Sequence, residues 1–168
     1  MRKIIKWPLC ILGLLSALYS CQRDDICGEV DPTTPQLIIR FYDTDDPTAF
    51  KEVTSLRVLT DGIETPIINR QNTDSIAIPL RSFATSTAFT MIIDSQDDDQ
   101  GMETGNSDIV TFSYTPNEVF ISRGCGFIIN YEELTGSRAD DADNWIDTIT
   151  IINSVVENEN QAHVQIFH

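Results

Sequence analysis

"QLIIRFYD", Gln36 to Asp43, alternates strictly. Leu37, Ile39 and Phe41 fall on one face, while Arg40 and Tyr42 project from the other, as the period of two in an extended chain requires. "SIAIPL", Ser75 to Leu80, repeats the pattern: Ile76, Ile78 and Leu80 alternate with Ser75, Ala77 and Pro79. That strand has a wet side, and Pro79 suits a sheet edge, where no ladder donor is needed. Further strands fit Leu56 to Leu59, Ala88 to Ile93, Ile109 to Tyr114, Val119 to Arg123, Phe127 to Tyr131, Ile146 to Ile152 and Ala162 to Phe167. They recur every ~10 to 15 residues with no long amphipathic helix between them, which predicts an all-β, two-layer antiparallel β-sandwich of the immunoglobulin-like kind. Two short helices are expected. One is "DPTAFKEV", Asp46 to Val53, with Asp46 as cap and Pro47 opening the turn; the other follows "NYEEL", Asn130 to Leu134. "DSQDDDQGMETGNSD", Asp94 to Asp108, and "TGSRADDADN", Thr135 to Asn144, read as mobile loops.

At 168 residues, 41% of them hydrophobic and 22% charged, the chain has room for one folded domain and is too apolar for disorder. The net charge is -15, and Arg2, Lys3 and Lys6 lie in the first twenty residues with no acid beside them, so loss of that segment leaves -15 - 3 = -18. The remaining basic residues are scattered singly, with no stripe to neutralise a phosphate backbone, which excludes nucleic acid as a partner.

Those three basic residues precede "WPLCILGLLSALY", Trp7 to Tyr19, a nearly unbroken apolar run. As a helix it covers about 20 Å against a hydrocarbon core of about 30 Å, too little for a span, so it reads as a cleaved signal peptide. Its end, Leu18-Tyr19-Ser20-Cys21, resembles the lipobox of bacterial lipoproteins, with Tyr19 the one imperfect member. The resemblance implies a diacylglycerol on the thiol of Cys21, cleavage before it, and acylation of the new amine. The alternative is ordinary secretion with Cys21 as a disulfide partner. "QRDD", Gln22 to Asp25, resembles the acidic export signal that sends Bacteroidota lipoproteins to the cell surface; a periplasm-facing anchor is the alternative. The chain then divides into a lipoprotein signal peptide over 1–20, a lipidated tether over 21–35 and the β-sandwich over 36–168.

With Cys10 in the leader and Cys21 on lipid, Cys27 and Cys125 remain, an even pair in an oxidising compartment, and a disulfide between them is expected. Such a loop contributes about 4 to 5 kcal/mol in the chain-entropy account. Cys125 sits in "SRGCGF", whose glycines suggest a bulge or close approach. A nucleophilic Cys125 would need a free thiolate and a basic partner, and neither is evident.

The only imidazoles are His163 and His168, five apart and so on opposite faces of one strand. No GxSxG, HExxH, CxxC or Walker pattern occurs, so a non-enzyme without cofactor is expected. A carboxylate-dependent hydrolase is the third reading, because two acids suffice for glycoside hydrolysis. Asp97 and Asp99 in the first acidic loop, and Asp141 and Asp143 in the second, are weak calcium candidates. Neither loop has the EF-hand arrangement, and solvated charge is preferred, with no metal expected. Trp145, the mature chain's only tryptophan, is the candidate ring for stacking on a sugar, with core packing its commoner use. "DSI", Asp74 to Ile76, and "DTI", Asp147 to Ile149, resemble the Bacteroidota O-glycosylation sequon, making Ser75 and Thr148 candidate acceptors.

Taken in order, "TTPQLIIRFYD", "DSIAIPL", "SRGCGF", "NWIDTITI" and "ENENQAHVQIF" resemble a family of uncharacterised Bacteroidota lipoproteins of the DUF6452 type. The resemblance implies an extracytoplasmic β-sandwich, supports the pairing of Cys27 with Cys125, and carries no activity. The expected function is a lipid-anchored outer-membrane or cell-surface protein, a non-catalytic accessory or interaction module. Glycan binding is the second reading. Its partners are the membrane through the anchor and another outer-membrane protein or a glycan.

Overall fold

The computed structural model describes Cys27 and residues 33–168. The leader, Cys21 and the QRDD stretch lie outside the described residues. Those described fall into two units, Cys27 with Phe120–Phe127, and Thr33–Val119 with Ile128–His168.

Among the described residues there are nine strands: β1 Leu37–Tyr42, β2 Val53–Thr60, β3 Ile68–Thr73, β4 Ser75–Ile78, β5 Ser86–Ile93, β6 Asn106–Ser122, β7 Gly126–Arg138, β8 Thr148–Ile151 and β9 Val164–Phe167. They form a four-stranded sheet of order β4-β1-β9-β8 and a five-stranded sheet of order β3-β2-β5-β6-β7, an all-β sandwich. The alternation in β1 holds residue by residue: Leu37, Ile39 and Phe41 are fully buried. Val164 and Ile166 of β9 lie beside them, and Leu56, Val58, Phe89, Met91, Val110 and Phe112 supply the core from the other sheet. β4 is an edge strand and Pro79 follows its last residue, as expected.

Four expectations are corrected. The helix over Asp46 to Val53 does not form. Asp46 does cap a turn, accepting from the Thr48 N–H and hydroxyl at 3.1 and 2.7 Å, but Phe50 bridges back to Tyr42 and Val53 already belongs to β2. Nor does a helix follow NYEEL, because β7 continues through it to Arg138 beside β6, with Leu134 in the core. The separate strands expected at Ile109 to Tyr114 and Val119 to Arg123 are one strand, β6, which carries Pro116 within it. Pairing with β5 ends at Ser86 opposite Ser113, so Pro116 removes no ladder bond from that side. Finally, the sandwich is not purely antiparallel: β1 pairs with β9 in parallel, Ile39 opposite Val164 through Tyr42 opposite Phe167. Antiparallel neighbours are enforced by hairpins, whereas the first and last strands are joined by all the intervening chain and are free to run the same way.

His163 sets that parallel register. Its N–H donates to the Ile38 carbonyl at 2.9 Å, and its Nδ1 accepts the Ile38 N–H at 3.1 Å, so one residue satisfies both backbone groups of its neighbour. The ring is buried, and this burial pushes its pKa below 6.5, against the opposing pull of the Asn158 backbone and Glu159.

Candidate functional site

The chain passes from one sheet to the other over residues 79–85, between β4 and β5, and two buried tyrosines hold this crossover from beneath. Tyr114 of β6 and Tyr131 of β7 pack edge to face with centroids 5.0 Å apart. The Tyr114 hydroxyl donates to the Arg81 carbonyl at 2.9 Å and lies 2.6 Å from Thr87 Oγ1, which accepts the Arg81 N–H at 3.0 Å. The Tyr131 hydroxyl donates to the Leu80 carbonyl at 3.0 Å. Burial raises the Tyr131 phenol above 10, so it stays a donor. Both tyrosine hydroxyls therefore have partners, and they hold the loop at its Leu80 and Arg81 backbone.

That fixed loop presents Phe83, 92% exposed. Burial of a phenylalanine contributes about 1.5 to 3 kcal/mol, a gain the fold forgoes at this position. Beside the ring lies an open cavity of about 300 Å³ lined by Ser82, Phe83, Ala84, Thr85, Pro116 and Glu118. An apolar ring, a proline face, two hydroxyls and one carboxylate make a surface suited to stacking and hydrogen bonding. No residue here was singled out from the sequence: "RSFATS" is a lone aromatic among small polar residues, and only the tyrosine contacts from distant strands reveal its rigidity.

The first acidic loop is not a string of solvated charges, because it winds around Glu103. Its carboxylate accepts from Ser95 Oγ at 2.7 Å, from the Gln96, Thr104 and Gly105 N–H groups at 3.0, 3.1 and 3.0 Å, and from Arg57 at 3.0 Å. Partial burial alone would raise this acid, but the donors outweigh it and hold the pKa at about 2. Arg70 stands 3.7 Å away and pairs with Asp97 at 2.5 Å. β2 and β3 are bulged here, and Ser55, Arg70 and Asp94 all take left-handed φ values of 46°, 53° and 51°. The second loop is fastened to the sheet by Asp108, whose carboxylate accepts from the Ile146 N–H at 2.8 Å and from Asn144 Nδ2 at 3.0 Å.

Of the weak calcium candidates, Asp97 faces Arg70, Asp141 accepts the Asp143 N–H at 3.0 Å, and Asp99 and Asp143 are exposed. Among the described residues no three His, Cys, Asp or Glu side chains gather at metal-holding distance. Trp145 is partly buried against the core; its indole N–H donates to the Met91 carbonyl at 3.1 Å and its ring meets those of Phe41 and His168. Ser75 is partly buried with its hydroxyl toward the Ile39 carbonyl at 3.4 Å, whereas Thr148 is exposed and opens the edge strand β8. Cys27 and Cys125 are disulfide-bonded, with Cα atoms 4.9 Å apart.

No curated protein and no solved structure matches the chain. Residues 55–168, from the second residue after Val53 of β2 to the carboxyl terminus, match the Family of unknown function (DUF6452), a stretch that takes in Phe83, Glu103 and Cys125 but not Cys27 or β1. The chain belongs to that family.

Proposed function

We propose that this protein is a lipoprotein anchored through Cys21 in the outer membrane and displayed at the cell surface, a non-catalytic module that binds a partner through the Phe83 loop. The anchor reading is supported by the disulfide. It belongs to an oxidising compartment, and it occupies Cys27 and Cys125, so Cys21 is left with only Cys10 of the leader as a thiol partner. The binding reading rests on one observation: a ring 92% exposed on a loop held by the Tyr114 and Tyr131 hydroxyls. A rigid scaffold carrying an apolar group in water is how interaction loops are commonly built.

A photo-crosslinking residue at position 83, activated in native membranes, is expected to give a discrete adduct with one outer-membrane protein. The same residue at exposed Glu52 should give none. Absence of any adduct at position 83 would refute the loop as a protein-binding surface.

Glycan binding is the second reading, and Phe83 favours it more than Trp145 does, because Phe83 offers an open ring with the Glu118 carboxylate and the Ser82 and Thr85 hydroxyls at the same cavity. A glycan array on which binding disappears in Phe83→Ala, while the adduct experiment stays negative, would replace the first reading with this one.

A further inference from the structure

The turn between β6 and β7 carries a second apolar group with a different setting. Phe120 and Phe127 pack on each other across the hairpin, ring centroids 5.1 Å apart, and yet remain 56% and 62% exposed. Ile121, next to Phe120 and so on the other face of the strand, is 37% exposed. A strand end that covers another sheet needs an apolar residue on one face only. Apolar residues on both faces suit a hairpin end surrounded by an apolar medium. The turn between them is polar: Ser122 Oγ accepts the Cys125 N–H at 3.0 Å, and Arg123 is exposed.

The covalent structure says which medium lies within reach. Cys125 is bonded to Cys27, Cα to Cα 4.9 Å. Cys27 is six residues from Cys21, and six extended residues reach at most about 20 Å. If Cys21 carries acyl chains, its Cα lies at the lipid headgroups, and Cys125 lies within about 25 Å of it whatever path the intervening residues take. We infer that the Phe120–Phe127 hairpin end is a membrane-docking element. Phe120, Phe127 and Ile121 enter the boundary between headgroups and acyl chains, and Arg123 reaches a lipid phosphate. Arg123 supplies a cation at this end of a chain whose net charge is -15, and an arginine stem lies comfortably along apolar surface with its head in the polar layer. A shallow position suits the turn, whose backbone groups keep water and headgroup partners there. Tethering makes the second contact intramolecular, so even a small apolar area is occupied at the high local concentration of lipid. The inference rests on the anchor proposed above and adds an orientation to it, since two attachment points fix how the hairpin meets the bilayer where one leaves it free.

The test uses the full-length protein purified from membranes and reconstituted in phosphatidylcholine vesicles, with intact mass first establishing the acyl chains and the disulfide. In Phe127→Trp, emission beyond that of the wild-type Trp145 should be lost when the vesicle lipid is brominated near the top of the acyl chain, while wild-type emission is unchanged. Trypsin should cleave after Arg123 slowly on vesicles and faster in Phe120→Ser/Phe127→Ser, whose disulfide and circular dichroism verify folding. Unquenched added emission in acylated Phe127→Trp, or equal cleavage with and without the two phenylalanines, would overturn docking and leave the anchor standing. Absence of acyl mass would overturn both.

Discussion

Glu103 shows how one carboxylate turns an acidic loop into a folded one. Five donors within 3.1 Å hold its pKa at about 2, against 4.5 for a free glutamate. A carboxyl depressed in the fold contributes stability that is present above 4.5 and is lost as the pH falls toward 2. The full contribution is up to roughly 3 kcal/mol, less what solvent screening removes at a partly exposed site. Glu103→Gln keeps the shape, loses the charge opposite Arg57 and Arg70, and should cost about 1 to 3 kcal/mol in urea unfolding at neutral pH. Its stability should also fall less than that of the wild type between pH 4.5 and the acid limit. A variant as stable as the parent with the same acid slope would show that the loop does not depend on this charge. His163 acts in a higher window. Its folded pKa is depressed below 6.5, so the unfolded chain takes up the proton first, and stability is full above pH 6.5 and falls below it. His168, also depressed by burial, adds in the same direction. A proton on Nδ1 would set a donor against the Ile38 N–H. His163→Ala should therefore destabilise by about 2 to 4 kcal/mol, from the orphaned N–H and the cavity together, and weaken the dependence on pH just below 6.5.

Strands with one wet and one dry face were legible in the sequence, because burial writes the period into residue type: β1 and β4 lie where alternation puts them. β3 was not. In "INRQNT" only Ile68 packs against the core; Asn69 to Asn72 are exposed on an edge strand, and bulges against β2 break what period there is. The false helix after NYEEL has the opposite cause. "EELTGSR" has no strong local preference, and its pairing with β6 decides the matter. Gly136 in it is packed closely against Phe112 and Ile149, whose atoms a Cβ would approach to 3.1 Å. Phe83 was invisible because the partners that hold its loop come from distant strands and carry no local signature. Four donors to Glu103 lie in its own loop, but three of them are backbone N–H groups, which leave no mark on residue type, and Arg57 comes from β2. Even so, Gly105 makes the fold of the first acidic loop testable. A Cβ there would lie 2.6 Å from the Ile93 carbonyl oxygen and from Ile92 Cγ2. Backbone cannot yield as a side-chain tip does, so Gly105→Ala should cost about 1 to 3 kcal/mol by thermal unfolding. An unchanged midpoint would mean that the loop relaxes freely.

At the scale of the molecule, the first and last strands lie side by side at the centre of one sheet, with β9 between β1 and β8. Deleting residues 163–168 removes the His163 clasp and separates β8 from its only paired neighbour among the described strands, so the shortened chain should lose its near-ultraviolet circular dichroism; a retained native spectrum would contradict the topology. The disulfide closes a separation of 98 residues, and Cys27→Ser/Cys125→Ser should lower stability by about 4 to 5 kcal/mol if chain entropy governs it. Location is the claim on which the remaining proposals stand, and intact mass of the protein extracted from native membranes tests it most directly. The account predicts a chain beginning at residue 21, heavier by its acyl chains and lighter by two hydrogens for one disulfide. An unmodified Cys21 with the leader still attached would contradict it.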